Sequence, residues 1–433
     1  MANRYWVGGS GAWDNTNTTN WSASSGGSGG ASVPTSTDNV FFDSNSSGSS
    51  YTVSLGTVDL SCGDITIDNP SSGTISISDA PAWYSYYFYF YGSFTNNAGT
   101  AINYDFNRYK KFRGTGTHTL KFDGANPFSS GDVYLEGTGT YSLTDAANWG
   151  ILNLYHSAGT YNTNGYTHTG YRYQGSSTST INMSNSMFNL QSGGFNATNT
   201  VNAGTSTVRI FNGGSLSTNK TLYNVKPDAN SGNNTFNLSQ NITCNKFILG
   251  VYTTNGLLNI VMFGDIICSE LASEYQSGAT NIATQRTWLR SVNCTTNRTI
   301  NATTSTAKNV NFTNITFTNN LSDASWGDAE GNSNITFTGG FNVYYVGNGA
   351  STDIHDGVFA TSSGGTVNVS LFPRPQDTLI IDENSPSYID TDPGYFQFCS
   401  IDASARTSAF TFDRKSSEQY IYCLLYTSPS PRD

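Results

Sequence analysis

The stretch from Trp149 to Leu271 decides the fold. It contains ILNLY (151–155), GTYNT (159–163), STINM (179–183), NTVNAG (199–204), STVRIF (206–211), NTFNLS (234–239) and LLNIVMF (257–263). Each piece alternates apolar with polar residues, the signature of a half-buried strand. Clusters of Gly, Asn, Asp and Ser separate the pieces and supply turn chemistry. Asn, Thr and Ser recur beside the apolar positions. In a stack of parallel coils like residues lie above one another, and Asn side chains can hydrogen-bond along the stack. The pattern therefore predicts an all-β fold, a right-handed parallel β-helix (β-solenoid) with coils of roughly 20 to 25 residues. A sandwich of two sheets has the same strand spacing and is the alternative.

Working outward, the same pattern runs upstream through YTVSL (51–55), DITID (64–68), TISIS (74–78), INYDF (102–106), HTLKF (118–122), DVYLE (132–136) and TYSLT (140–144). No segment carries a helical period with caps. Downstream, KNVNFTNITFTN (308–319) continues it, and GDAEGNSN (327–334) reads as a turn-rich junction.

The chain opens on YWVGGSGAW, NWSASSGG and VPTSTDNVFFD between Tyr5 and Asp43. A degraded copy returns as YYVGNGAST, FATSSGG and FPRPQDTLIID between Tyr344 and Asp382, offset by 339 residues at both ends. A constant offset between landmarks marks an internal repeat. We read four segments: an entrance motif over 1–50, a solenoid module over 51–341, a second entrance with the start of a truncated module over 342–422, and residues 423–433. Trp6, Trp13 and Trp21, with Pro34, Asp38 and Asp43, are the landmarks of the first entrance. Bare strand edges recruit other chains, so the three tryptophans are expected to cover the first coil as an N-terminal cap. An aromatic ligand platform is the functional alternative. In the second copy Tyr345 and Phe359 stand in for Trp6 and Trp21.

Charged residues make up only 12% of the 433, while aromatic residues reach 13% and hydrophobic residues 36%. That argues against disorder. A net charge of −10 without a basic face argues against nucleic acid as a partner. No apolar run approaches the roughly 20 residues of a membrane helix, and MANRYWVGG has no apolar signal core. Cys62, Cys244, Cys268, Cys294 and Cys399 form no CxxC pair, so they read as small buried residues and reduced thiols. The last eleven residues, CLLYTSPSPRD (423–433), resemble a translated sequencing-library adapter, and the natural chain is expected to continue past Tyr422.

Chemistry-bearing motifs are sparse. His118, His156, His168 and His355 sit in no metal pattern, and no cofactor motif occurs in context. Asp64 with Asp68, and Asp390 with Asp392, are paired acids of the kind that hydrolyse glycosidic bonds at the right separation. Surface acids that keep a polar rod soluble are the alternative. Asp328 and Glu330 read as a solvated turn, with a cation site as the other reading. One stretch stands out: PAWYSYYFYFYGSF (81–94), followed by NRYKKFRG (107–114). Alternation puts Tyr84, Tyr86, Phe88 and Phe90 on one face and Tyr87, Tyr89 and Tyr91 on the other. We take Trp83, Tyr84, Tyr87, Tyr89 and Tyr91, with Arg108, Lys110, Lys111 and Arg113, as a candidate ligand surface. Aromatics beside cations suit sugars or an acidic polymer through stacking and cation–π contact. A subunit interface is the other expectation.

The opening motif, the pieces GTYNTNGY (159–166) and VNAGTSTVRI (201–210), and the junction GDAEGNSNITF (327–337) followed by YYVGNG (344–349) resemble large repetitive β-helix proteins of marine tailed phages known from metagenomic contigs. The resemblance extends over residues 5–422 and implies a non-enzymatic, virion-associated protein, a fibre or decoration component. It implies no catalytic residues, cofactor or metal. Expected partners are host-surface polysaccharide and other virion proteins, with a homotrimer as one assembly; the expected place is the virion, or alternatively the cell exterior. A β-helix glycoside hydrolase or lyase and a secreted bacterial adhesin are the competing functions.

Overall fold

The computed structural model describes residues 1–79, 86–105, 107–124, 131–150, 152–229, 234–251, 257–275, 285–293, 295–347, 358–390, 396–398, 400–413 and 421–423. Among them there is no α-helix, only a single 3-10 turn at Gly99–Ala101. The chain divides into two units, Met1–Ile210 with Ser217–Tyr223 and Phe211–Leu216 with Asn224–Asp433. The division falls inside the segment read above as a single solenoid module.

The first unit is organised by three parallel ladders. Ladder 1 has ten strands: Trp21–Ser22, Asn3–Trp6, Asn39–Phe42, Ile65–Ile67, Phe94–Asn96, Thr117–Lys121, Thr140–Leu143, Gly159–Asn162, Ser179–Asn182 and Thr200–Asn202. Every pairing is parallel except the one between Trp21–Ser22 and Asn3–Trp6. Ladder 2 stacks Gly11–Trp13, Tyr51–Leu55, Ile75–Asp79 and Ile102–Asp105. Ladder 3 runs through Leu60–Cys62, Tyr87–Phe90, Tyr109–Phe112, Val133–Leu135, Asn153–His156, His168–Gly175 and Met187–Ala197.

Because side chains alternate along a strand, in-register stacking sorts them into columns. Val40, Ile65, Phe94, Leu120 and Leu143 form one inward column of ladder 1, all buried. On the opposite face, Ser142, Asn162, Asn182 and Asn202 are in register. Asn202 Nδ2 donates to Asn182 Oδ1 at 2.7 Å, Asn182 Nδ2 to Asn162 Oδ1 at 2.6 Å, and Asn162 Nδ2 to Ser142 Oγ at 3.1 Å. This is the asparagine ladder expected from the sequence. The turns repeat too: Asn164, Ser184 and Gly204 follow successive strands with φ of 52°, 50° and 57°. At Gly204 an added Cβ would lie 2.1 Å from the Ser184 carbonyl oxygen, so only glycine fits that turn.

The aromatic core at the start of ladder 1 is tight. Trp6 and Trp21 meet edge to face at 5.1 Å, Trp13 and Trp21 at 5.0 Å, and Trp13 and Phe88 at 5.0 Å. All three tryptophans are buried, so they are packing residues and form no exposed platform. Pro34 is also buried. The Asp38 carboxylate accepts the Ala2 N–H at 3.0 Å, the Thr35 N–H at 3.1 Å and the Thr35 hydroxyl at 2.8 Å. Burial would raise its pKa, but these bonds outweigh burial and hold it below the usual value. Asp43 accepts the Asn45 N–H at 2.9 Å.

In the second unit two parallel ladders alternate along the chain. One stacks Asn234–Leu238, Leu258–Met262, Thr287–Ser291, Val310–Thr313 and Gly327–Asp328. The other stacks Ile242–Val251, Ile266–Tyr275, Arg298–Ser305, Ile315–Ser322 and Ser333–Thr336. Cys244 and Cys268 are register partners in the second of these, and they and Cys62 are buried thiols outside any disulfide. Cys294 and Cys399 lie outside the described residues.

The second entrance repeats the strand pairing and the carboxylate and hydroxyl bonds of the first. Asn342–Tyr345 pairs antiparallel with Phe359–Ala360 and parallel with Thr378–Ile380, as Asn3–Trp6 does with Trp21–Ser22 and Asn39–Phe42. Asp377 accepts the Phe341 N–H at 3.0 Å as Asp38 accepts that of Ala2. Ser385 Oγ accepts the Asp382 N–H at 3.0 Å, and Ser46 Oγ that of Asp43 at 2.9 Å. The lost tryptophans loosen the aromatic contact, with Tyr345 and Phe359 at 6.4 Å. This copy docks on the end of its own unit's ladders: Arg374 Nη1 donates to the Ala324 carbonyl at 2.8 Å, and Gln376 Nε2 to that of Trp326 at 3.0 Å.

Candidate contact surface

The outer face of ladder 3 carries the sequence-predicted site. Within NRYKKFRG, period-2 alternation separates the four cations. Arg108 and Lys110 share the inward face with Phe112, whereas Lys111 and Arg113 share the outward face with Tyr109. Arg108 is buried: Nε donates to Asp79 Oδ1 at 2.6 Å, and Nη1 and Nη2 donate to the carbonyls of Val58 and Gly56 at 3.0 and 2.9 Å. Lys110 is 0% exposed, in register with Phe88 and Val133, and its Nζ donates to the Gly131 carbonyl at 3.1 Å. Burial pulls its pKa down to about 7, against the opposing pull of Asp79 and Asp132. Both residues are therefore withdrawn from the surface and act as interior groups. Trp83 and Tyr84 lie outside the described residues.

Outside, the half-buried residues converge. Register places Tyr87 beside Tyr109, Tyr89 beside Lys111, Lys111 beside Tyr134, and Tyr134 beside Tyr155. Their rings stack on one another: Tyr87 on Tyr89 at 5.7 Å, Tyr87 on Tyr109 at 5.8 Å, and Tyr134 on Tyr155 at 4.9 Å. The Lys111 ammonium lies 4.7 Å from the Tyr87 ring centre and 5.0 Å from that of Tyr134. The Arg113 guanidinium lies 4.2 Å from that of Tyr89. Glu136 then takes both cations, Lys111 Nζ at 2.8 Å and Arg113 Nε at 3.0 Å. The cation–π contacts expected for a ligand are thus made within the strip itself. Tyr91 is half-buried at its edge.

Three of the phenols, Tyr89, Tyr134 and Tyr155, are held in the protonated form by burial. Burial, with Asp132 nearby, pushes Tyr134 up to about 12. Burial also raises Tyr89 and Tyr155, with Asp59 and Asp132 respectively adding to it. Tyr109, Tyr134, Tyr155 and Glu136 were not singled out from the sequence. Their signal was present as an outward tyrosine in DVYLE and ILNLY, but only register shows that these residues meet Tyr87 and Tyr89.

The other candidates are engaged elsewhere. Asp64 accepts the Ser93 N–H at 2.7 Å and Asp68 the Asn97 side-chain amide at 2.8 Å, each bonding a residue that flanks Phe94–Asn96, the next strand of ladder 1. Four residues of extended chain hold the two about 13 Å apart, wider than the 5–9.5 Å of glycosidase carboxyl pairs. Asp390 is buried and Asp392 lies outside the described residues. Asp328 accepts the Glu330 N–H at 3.1 Å and the Asn332 amide at 2.7 Å, closing its own turn. Among the described residues no three His, Cys, Asp or Glu side chains gather as a metal site, and no helix is long and apolar enough to cross a membrane. His355 lies outside the described residues. His156 and His168 are interior: Tyr173 O–H faces His156 Nδ1 at 3.0 Å, and Trp149 Nε1 donates to His168 Nδ1 at 3.1 Å. Burial pushes their pKa values down to about 4 and about 3. Comparison of the chain with protein-family models, with curated proteins and with solved structures finds no match.

Proposed function

We propose that this chain is a right-handed parallel β-solenoid from a virion fibre or decoration component, capped by its tryptophan cluster, whose role is to present a rigid surface to host glycans. The observation that supports this reading best is the tyrosine strip of ladder 3. Four successive coils place Tyr87 and Tyr89, Tyr109, Tyr134 and Tyr155 on one outward face, half-buried and braced by Lys111, Arg113 and Glu136. Surface-exposed, pre-ordered tyrosine is favoured in recognition because it loses little conformational entropy on binding. The parallel ladders supply the rigidity, since each coil is hydrogen-bonded to its neighbours along its length.

The test is a glycan array probed with the wild-type chain and with a Tyr87→Ser, Tyr89→Ser, Tyr155→Ser variant shown to be folded by circular dichroism. Loss of the array signals is expected. Equal binding by the folded variant removes the strip from the function, and release of reducing ends by the wild type would move the assignment to a polysaccharide-degrading enzyme.

A further inference from the structure

We infer that the glycan taken by this strip is uncharged and is read through its hydroxyls, with the sugar chain running along the stack of coils. The inference deepens the contact-surface reading and rests on it. The four cations beside tyrosines in the sequence suit sugars in general and, as one option, an acidic polymer. The geometry removes that option. Both Glu136 oxygens are occupied, Oε1 by Lys111 and Oε2 by Arg113, and each cation also lies over a tyrosine ring. The other ionic groups around the strip are matched in number. Arg172, the register partner of Asn153, donates to the Gly193 carbonyl at 3.0 Å, Asp132 accepts the Asn153 side-chain amide at 2.8 Å, and Asp59 accepts the Tyr87 N–H at 2.9 Å. The strip and its surroundings thus hold Lys111, Arg113 and Arg172 against Glu136, Asp132 and Asp59, on a chain whose net charge is −10. A polyanion would have to displace Glu136 from a half-buried pair while approaching a negatively charged molecule, and both steps oppose binding.

What the strip offers instead is neutral. Ring faces are partly taken up by one another and by the two cations, so a sugar meets ring edges and phenol hydroxyls over much of the strip. Those hydroxyls both donate and accept, as sugar hydroxyls do, and burial favours the protonated form of Tyr89, Tyr134 and Tyr155. The residues ascend one coil at a time, so the strip spans three coil spacings, about 14 Å, perpendicular to the strands. An extended glycan follows that line.

The experiment uses the full chain and its Glu136→Gln variant, which keeps the side chain's shape and removes the negative charge that neutralises both cations. Binding to a neutral polysaccharide (dextran, mannan, laminarin) and to an anionic one (alginate, carrageenan) is measured by affinity electrophoresis at two salt concentrations. The wild type is expected to bind a neutral polymer, with affinity changing less than about twofold between low and high salt. Glu136→Gln is expected to gain at least about tenfold in affinity for the anionic polymer, and to lose that gain in salt. Salt-sensitive binding of the anionic polymer by the wild type overturns this inference and leaves the contact surface standing. Absence of that gain in the variant overturns it too, because Glu136 would then not be what silences the cations. Binding to neither polymer by the wild type defeats the contact-surface reading itself.

Discussion

Replacing Lys110 with methionine should stabilise the coils around it by an amount that depends on pH. The side chain is 0% exposed between Phe88 and Val133, and its ammonium donates to the Gly131 carbonyl. Burial lowers its pKa from 10.5 to about 7. Between those values the unfolded chain holds a proton that the folded chain does not, so native stability rises with pH across the window. At pH 7 the lysine therefore costs on the order of 4 kcal/mol, and near pH 9.5 on the order of 1 kcal/mol. Methionine has nearly the same reach and no charge, but it strands the Gly131 carbonyl at a cost of about 1–3 kcal/mol. The net gain should be about 2 kcal/mol at pH 7 and should vanish near pH 9.5. Stacked coils unfold locally rather than in one step, so the assay is hydrogen exchange of amides in Tyr87–Phe90, Tyr109–Phe112 and Val133–Leu135, corrected for intrinsic rates. A gain independent of pH, or a loss at pH 7, would refute the argument and make Lys110 a stably charged partner of Asp79 or Asp132.

Two further outcomes follow from the interior and the outer columns. His156 and His168, depressed by burial to about 4 and about 3, are neutral in the folded chain, while their unfolded counterparts take up protons below about 6.5. Stability present above that pH should be lost as pH falls, by about 2 kcal/mol for each at pH 5, read as weakened exchange protection in His168–Gly175; unchanged protection at pH 5 contradicts this. Asn182→Ala removes one bond donated to Asn162 and one accepted from Asn202, and should cost about 1–2 kcal/mol with lost protection in Gly159–Asn162 and Thr200–Asn202. A cost below about half a kcal/mol would mean that the outer column contributes no stability.

Much of the fold was legible because the rules that dictate it are local. Alternation in TYSLT and STINM gave strands with the correct faces, and recurring asparagines at one position foretold the bonded column at 162, 182 and 202. The 339-residue offset located the second entrance, and the shared carboxylate contacts of Asp38 and Asp377 show why its landmarks persist although its tryptophans do not. The site was legible only in part. Tyr87 and Tyr89 could be placed outward from their own strand. The same rule places Arg108 and Lys110 inward, although as a run of four cations in eight residues NRYKKFRG looks like one basic cluster. Tyr134, Tyr155 and Glu136 lie 20 or more residues away in sequence, and only the coil length, which no local rule sets, brings them to Tyr87 and Tyr89. The neutralisation of the strip by Glu136 was hidden for the same reason.

The most direct test of the stacked-coil account measures distances between spin labels placed on one outer column of ladder 1. Ser93 accepts the Thr119 N–H from the neighbouring coil, and Thr119, Ser142, Asn162, Asn182 and Asn202 follow in register. Labels at Ser93 and Asn202 should lie about 24 Å apart, and moving the first label to Thr119 should shorten this by one coil spacing, to about 19 Å. Distances that fail to shorten by one spacing, or that fit strands facing each other across two sheets, would contradict it.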